Sequence, residues 1–455
     1  MADERIRAGI ARAAAALQAG DAKTALHEAQ AQRDEIRTDR ELAAAWLDLA
    51  RALPDAELMP VVADILEHHA GHAELVTRAC DALIRAADRT PPDEPQPADG
   101  PARLAADAAA RCLAAIEAQE PNREIVAYLH MGRANALRLL CAYDEALTSY
   151  RAALAEQPER GAFWFNLGLL HKAQGAFGEA LEVYQRARAL LGDEKPVLWN
   201  IAISATALGR GADAAEALRK LGHDARVADS GMPYVEGLPP VQVRAASVGA
   251  GFGPSSALPD RSIGLELLWV APISPCHGVI SSASQRDAAV DFGDVVLWDA
   301  VAVGVGELAG RPVPRFPLLA ILRRGDEHRF RFVALQQQPG EVAAIGDQLP
   351  AGARLFIHHE RVERLCARCA SGEHMHKHRH EPAQEHRIVY GKLVLPGAVE
   401  LAQFRRELEG ALRSRPQIQL VVPALLEAIG DTAAAGKAHQ MWRGLERTGL
   451  KLQTR

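Results

Sequence analysis

The sequence predicts a multidomain α+β chain: an all-α solenoid in residues 1–222, then a mainly β domain, a barrel or sandwich, with terminal helices. Three observations lead to this reading. Small and apolar residues recur every 34 positions in the first half, and the pattern gives way to short β-type runs after Gly222. One stretch, CARCASGEHMHKHRHE at residues 366–381, then gathers two cysteines and four histidines into sixteen positions.

A chain of 455 residues is long enough for two or three folding units, each burying its own core. Its apolar fraction of 48% is ordinary for a soluble protein. A net charge of -6 with a pI near 6.3 lacks the basic field of a nucleic-acid or anionic-membrane binder. The first residues mix acids and arginines with alanine and show no signal-peptide core, and no window is apolar enough to span a membrane. Six cysteines are too few for a disulfide scaffold, so a reduced, cytoplasmic setting is expected.

The repeat is clearest in residues 161–194, with Trp164, Leu167, Gly168, His171, Gly175, Ala180, Tyr184 and Ala187 at fixed offsets. A shift of 34 aligns Ala146, Ala180 and Ala214, then Tyr150, Tyr184 and Leu218, then Tyr143, Phe177 and Gly211. Physically, this is a pair of amphipathic helices that meet where Ala134, Gly168 and Ala202 let Ala146, Ala180 and Ala214 approach closely. One such pair cannot bury its apolar face alone, whereas stacked pairs can. Upstream, residues 73–89 and 110–121 read as one more pair around an acidic, proline-rich loop at 90–101, and residues 4–29 and 40–69 as further helices.

Over about residues 73–223 this pattern resembles the tetratricopeptide repeat family. The resemblance implies that first helices line a concave groove, with the fifth position of each repeat pointing inward. Here that register gives the apolar ladder Met131, Phe165 and Trp199, flanked at the twelfth position by Arg138, Lys172 and Thr206. The family's carboxylate-clamp subgroup requires basic fifth positions, which are missing. An apolar groove with a basic edge suits a partner's amphipathic helix or extended peptide. The alternative is that the chain's own C-terminal half covers the ladder.

Residues 223–240 read as a turn-rich linker. Runs such as VQVRAASV, LELLWVAP, DVVLWDAVAVGV, RFRFVAL and HRIVYGKLVL then predict an antiparallel β domain over residues 241–395, with RGDEH at 324–328 as a hairpin turn. Residues 396–455 predict helices at 396–416, 418–430 and 433–449 that pack on the sheet.

Four stretches bear on chemistry. GAGFG at 249–253 lacks the helix that a dinucleotide loop opens, because PSSALPDR follows it. SPCHG places Cys276 beside His277, but neighbours in an extended chain face opposite ways, so a tight turn with a partly buried thiol is expected. Asp287, Asp291, Asp294 and Asp299 match no calcium loop, and the two at the ends of VVLW, Asp294 and Asp299, merit first inspection. Cys366 and Cys369 have CxxC spacing, and alternating histidines follow about 6.6 Å apart on one face of an extended chain, so one ion takes two of them. A closed zinc site of Cys366, Cys369, His374 and His376 results, with His386, His358 and His359 in reserve. The sequence therefore suggests a scaffold whose solenoid binds a protein or peptide and whose β domain is stapled by zinc. The rival is a metal-dependent hydrolase or transferase whose solenoid recruits its substrate.

Overall fold

The structure, a computed structural model, describes residues 2–90, 96–117, 122–246, 265–285, 289–370 and 383–450. Helices run in sequence from Ala2–Gln18 to Gly211–Lys220. Those of the repeats pair as the spacing predicts: Arg123–Leu139 with Tyr143–Glu156, Gly161–Ala173 with Phe177–Leu191, and Lys195–Ala207 with Gly211–Lys220. Ala134, Ala146, Ala180, Ala202 and Ala214 are fully buried, and a methyl group added at Gly168 would run into the Tyr184 ring. Each first helix ends in the same reversal. The N–H groups of Cys141, Gly175 and Gly209 donate to Arg138, Lys172 and Thr206, and those of Ala142, Ala176 and Arg210 reach back to Leu137, His171 and Ala205. The reversal requires a left-handed residue, with φ of 71° at Gly175, 70° at Gly209 and 59° at Cys141.

The expected linker is an ordered ribbon. Arg226–Val227 pairs with Pro233–Tyr234, while Ala225 and Val235 are buried against Val197, Leu198 and Leu218. Val235 also donates its N–H to Ile273 at 2.9 Å, so the ribbon joins the solenoid's last helix to the first β unit.

That unit is a closed barrel of five strands: Val241–Ala246, Leu265–Ser274, His277–Ile280, Val295–Trp298 and Arg311–Arg323. Successive strands pair antiparallel, and the first closes on the last in parallel, Val243 opposite Phe316. Val243, Ala245, Leu268, Val270, Ile280, Val296 and Trp298 fill the interior. DVVLWDAVAVGV is two strands instead of one, because the chain breaks at Asp299 and resumes as Gly304–Leu308. That second strand pairs with the far end of Arg311–Arg323 through a two-residue turn, with φ of 50° at Ala309 and 78° at Gly310.

A second, antiparallel sheet has the order Arg354–Cys366, Ala383–Leu395, His328–Gln336, Gln419–Val421. Helices Leu401–Arg413 and Pro423–Ala428 cover one face through Phe404, Leu408 and Leu425, and Thr432–Leu450 covers the other through Met441, Trp442 and Leu445. Two expectations are corrected here. Residues 418–422 do not open a helix: Pro423 restricts Val422 to extended backbone and itself takes the first helical position, leaving Gln419–Val421 free to pair with Val333–Leu335.

RGDEH, in turn, is no hairpin, since the strands it joins lie in different sheets. It is a corner held by the fully buried Asp294. Asp294 Oδ1 accepts from Gly325 N at 2.9 Å and Arg329 Nη2 at 3.1 Å, while Oδ2 accepts from Arg324 Nη1 at 2.9 Å and Asp291 N at 3.1 Å. Beside it, Lys392 from the second sheet donates to Ser284 Oγ at 2.7 Å and to the Asp291 carboxylate of the barrel. Burial pushes the Asp291 carboxyl upward, but the Lys392 ammonium, together with the N–H groups of Ser284 and Phe292, more than offsets this and holds it below the usual range. No described helix is long and apolar enough to cross a membrane.

The barrel meets the solenoid along a seam of Ile203, Cys276 and Leu297, with Phe177, Ala207 and Leu319 around them. Pro275 and Cys276 form the turn between two barrel strands and His277 opens the second of them; Cys276 and His277 are both fully buried, the thiol more deeply than expected. Ser274 Oγ lies 2.6 Å from His277 Nδ1 and 3.6 Å from Cys276 Sγ. Burial raises the Cys276 thiol and lowers the His277 imidazole to about 4, so at neutral pH the pair is thiol and neutral ring, with no thiolate to act as a nucleophile.

Two predictions follow from these conformations. Cys141→Gly should stabilise the solenoid by about 1 kcal/mol in urea unfolding, because it relieves a left-handed β-carbon at the cost of some unfolded-state entropy; a loss of stability would contradict the strain. His277 is neutral in the fold but has its usual value near 6.5 when unfolded, so between 6.5 and about 4 the unfolded chain binds a proton that the fold refuses. Stability should fall by about 3 kcal/mol across that window as pH drops. His277→Gln should flatten the urea midpoint against pH there, and an unchanged slope would assign the effect elsewhere.

Candidate functional site

The first helices of the three repeats are Arg123–Leu139, Gly161–Ala173 and Lys195–Ala207. Of the fifth-position residues, Met131 is only 6% exposed and belongs to the solenoid's own core, so it offers no surface to a partner. Phe165 and Trp199 are half-buried. Phe165 tilts over Tyr184 with centroids 5.8 Å apart, and Trp199 meets His223 edge-on at 5.5 Å. These two rings occupy equivalent places one repeat apart.

The twelfth-position residues are engaged within the chain. Arg138 Nη2 lies 3.8 Å from the Asp88 carboxylate, beyond hydrogen-bond reach, and its Nε is buried without a partner among the described residues. Burial works against the Arg138 charge, yet nearby Tyr150 and Asp88 keep its pKa above the ordinary value. Lys172 Nζ donates to Asp299 Oδ2 at 2.8 Å, with 10% and 15% of the two side chains exposed. Thr206 Oγ1 donates to the Ala202 carbonyl at 2.7 Å and lies 3.6 Å from Cys276 Sγ. The C-terminal half therefore covers the basic edge at Lys172 and Thr206, while the ladder residues rest on solenoid side chains. Sequence reasoning named Lys172 and Asp299 separately. Nothing local links them, because 127 residues separate them.

Of the metal set, Cys366 ends the strand Arg354–Cys366, 3% exposed among Leu365, Ala370 and Leu445. Cys369 falls in the short helix Ala367–Ala370 that follows. His374 and His376 lie outside the described residues, as do Asp287 and the glycine-rich stretch 249–253. His386 is three positions from the strand end opposite Cys366, on the same hairpin. His358 and His359 are corrected as reserves: His359 pairs with Tyr390, seven residues back from Cys366 and so about 23 Å away along the strand. His358 instead faces the Asp291–Lys392 junction, where burial and then the Lys392 ammonium lower its pKa. Elsewhere, Asp64, Glu67 and His68 offer ligand atoms within 4.8 Å of one another, but Asp64 is held by Arg33 at 2.8 Å and Arg37 at 2.7 Å.

Comparison with known proteins bears on the helical repeats. Residues 142–195 match the family profile of the tetratricopeptide repeat. Over 88 residues, 19% of this chain, it is 30% identical to protein O-mannosyl-transferase TMTC1 of Mus musculus and 28% identical to that of Homo sapiens. The shared stretch spans 9% and 10% of those relatives' lengths. Among solved structures, one of MamA is matched over 36% of this chain and 85% of its own, at 12% identity and a TM-score of 0.29. MamA from Desulfovibrio magneticus RS-1 is matched over 37% and 82%, at 17% identity and a TM-score of 0.27. On the family match and the repeated geometry together, the chain carries a tetratricopeptide-repeat segment.

Proposed function

We propose that this chain is a protein-interaction scaffold whose solenoid binds a helix or extended peptide of a partner along its inner face. The observation that carries this reading is the pair Phe165 and Trp199, half-buried at equivalent places on adjacent first helices within and beside the matched repeat. Aromatic rings at such positions supply large contact area for little entropy. We further propose a structural zinc held by Cys366, Cys369, His374 and His376. In support, Cys366 stands where one long strand hands over to the next, a place where a closed site would clip the hairpin. Unbridged Cys80, Cys112, Cys141 and Cys276 suit the reducing cytoplasm as its setting.

Two experiments test this reading. Benzoylphenylalanine placed at Phe165 or Trp199 should photo-crosslink one discrete partner in the native host, and the same probe at exposed Arg186 on a second helix should not. Equal crosslinking from all three positions would refute binding at the inner face. Elemental analysis of protein purified without a histidine tag should find about one zinc per chain, lost in the Cys366→Ser, Cys369→Ser variant. A parent protein free of zinc would end that part of the reading.

A further inference from the structure

The twelfth-position row combines three features that a purely structural seam does not need. Lys172 is almost wholly desolvated, and its ion-pair partner among the described residues, Asp299, lies in the segment 299–303 between two strands, an excursion anchored at its ends where Asp299 N–H donates to Pro317 and Val303 N–H to Arg315. That segment carries Val301 at 66% exposure, so beyond Asp299 it projects into solvent. One repeat away, Arg138 presents a buried Nε with no partner among the described residues, and its nearest acid stands off at 3.8 Å. The two cations sit at equivalent places on neighbouring first helices, 34 residues apart, so an extended chain crossing both helices meets positive charge twice. One of these places is filled by an acid of the chain itself, and the other has donor capacity to spare.

We infer that this row is a carboxylate-reading face, occupied at Lys172 by the chain's own Asp299, and that its external ligand is an extended acidic peptide that takes Asp299's place. The inference rests on the scaffold reading and names its ligand class. The ligand's first carboxylate pairs with Lys172, a second meets Arg138, and its remaining contacts fall on the flanking aromatic positions. A carboxylate is required because withdrawing Asp299 alone would leave the Lys172 ammonium buried and unpaired, a strongly disfavoured state. A neutral peptide cannot compensate that loss and an acidic one can. The internal acid acts as a tethered competitor at high effective concentration, so it reduces the affinity of any weak external ligand. Ile203 and Thr206 lie under the barrel at the same seam, and the fully buried Cys276 reports whether the seam is closed.

The probe is an acetylated, fluorescently labelled peptide of residues 299–303, Asp-Ala-Val-Ala-Val, beside the same peptide with asparagine in place of aspartate. In fluorescence anisotropy with the full chain, Asp299→Asn should bind the acidic peptide at least about tenfold tighter than the unsubstituted protein, because the tethered competitor is gone. The asparagine peptide should bind neither protein, and adding Lys172→Met to Asp299→Asn should abolish the gain. An Asp299→Asn chain that melts normally yet gains no affinity overturns the inference, as does equal binding of the two peptides. A second readout needs no variant: excess acidic peptide should speed maleimide labelling of Cys276 in the unsubstituted chain, and the asparagine peptide should not. Equal labelling rates overturn the inference. Photo-crosslinking from Phe165 that persists while both peptide readouts fail would confine the failure to the acidic ligand and leave the scaffold reading standing.

Discussion

The strand Val295–Trp298 is flanked by two acids, and the placement of every larger unit depends on that arrangement. All four of its residues are buried in the barrel wall. At its start, Asp294 gathers Arg324, Gly325 and Arg329 and so fixes the corner from which the second sheet departs. At its end, Asp299 holds Lys172 of the solenoid. Solenoid, barrel and second sheet are thus positioned by charges at either end of four residues. Buried ion pairs add little net stability, because desolvation consumes most of their Coulombic gain, yet removing one partner is severe. Such pairs therefore act here chiefly by making other arrangements of the same units costly, while the apolar seam of Ile203, Cys276 and Leu297 supplies adhesion without direction.

The helical half was legible because its determinants are local and repeated. A left-handed turn residue, glycine in two of the three repeats, and a small residue at each helix crossing recur every 34 positions, and each repeat contacts mainly its neighbours, so the period carries the fold. Cys141 shows how far that logic reaches, since the reversal forms even where the glycine is missing. Most strands of the β half were legible as strands, but their partners were not. RGDEH has the composition of a hairpin turn, and nothing within it distinguishes a hairpin from a corner; the difference lies in Asp294, about thirty positions upstream. Closure of the barrel by a parallel pair, Val243 with Phe316, likewise leaves no local trace. Pro423 was the one neglected local signal, because the residue before a proline is extended and the helix read at 418 had to start later.

For the candidate site, residue types were legible and their commitments were not. Met131, Phe165 and Trp199 share one repeat position, yet Met131 is drawn into the core of the helices before it while the two rings remain at the surface. Lys172 and Arg138 read as a basic edge available to a partner, whereas the fold gives one an ion pair and leaves the other with an unused donor. Cys276 and His277 read as a tight turn with a partly buried thiol and not as a reactive pair. Ser274 sits against both, and burial has set each in its neutral form, so their chemistry is that of a packed interface.

This distribution of charge has a consequence for selectivity. A ligand that supplies only another carboxylate competes poorly with a tethered one, whose effective concentration is high, and displaces it only in large excess. It must bring contacts that Asp299 lacks, and the proposed ones are the half-buried rings of Phe165 and Trp199 and the Arg138 guanidinium one repeat away. Charge then decides whether a peptide is accepted in place of Asp299, and apolar area decides whether it remains. Discrimination between two such requirements exceeds what either provides alone, because a peptide lacking the acid leaves Lys172 unpaired and one lacking the apolar residues loses to the tether.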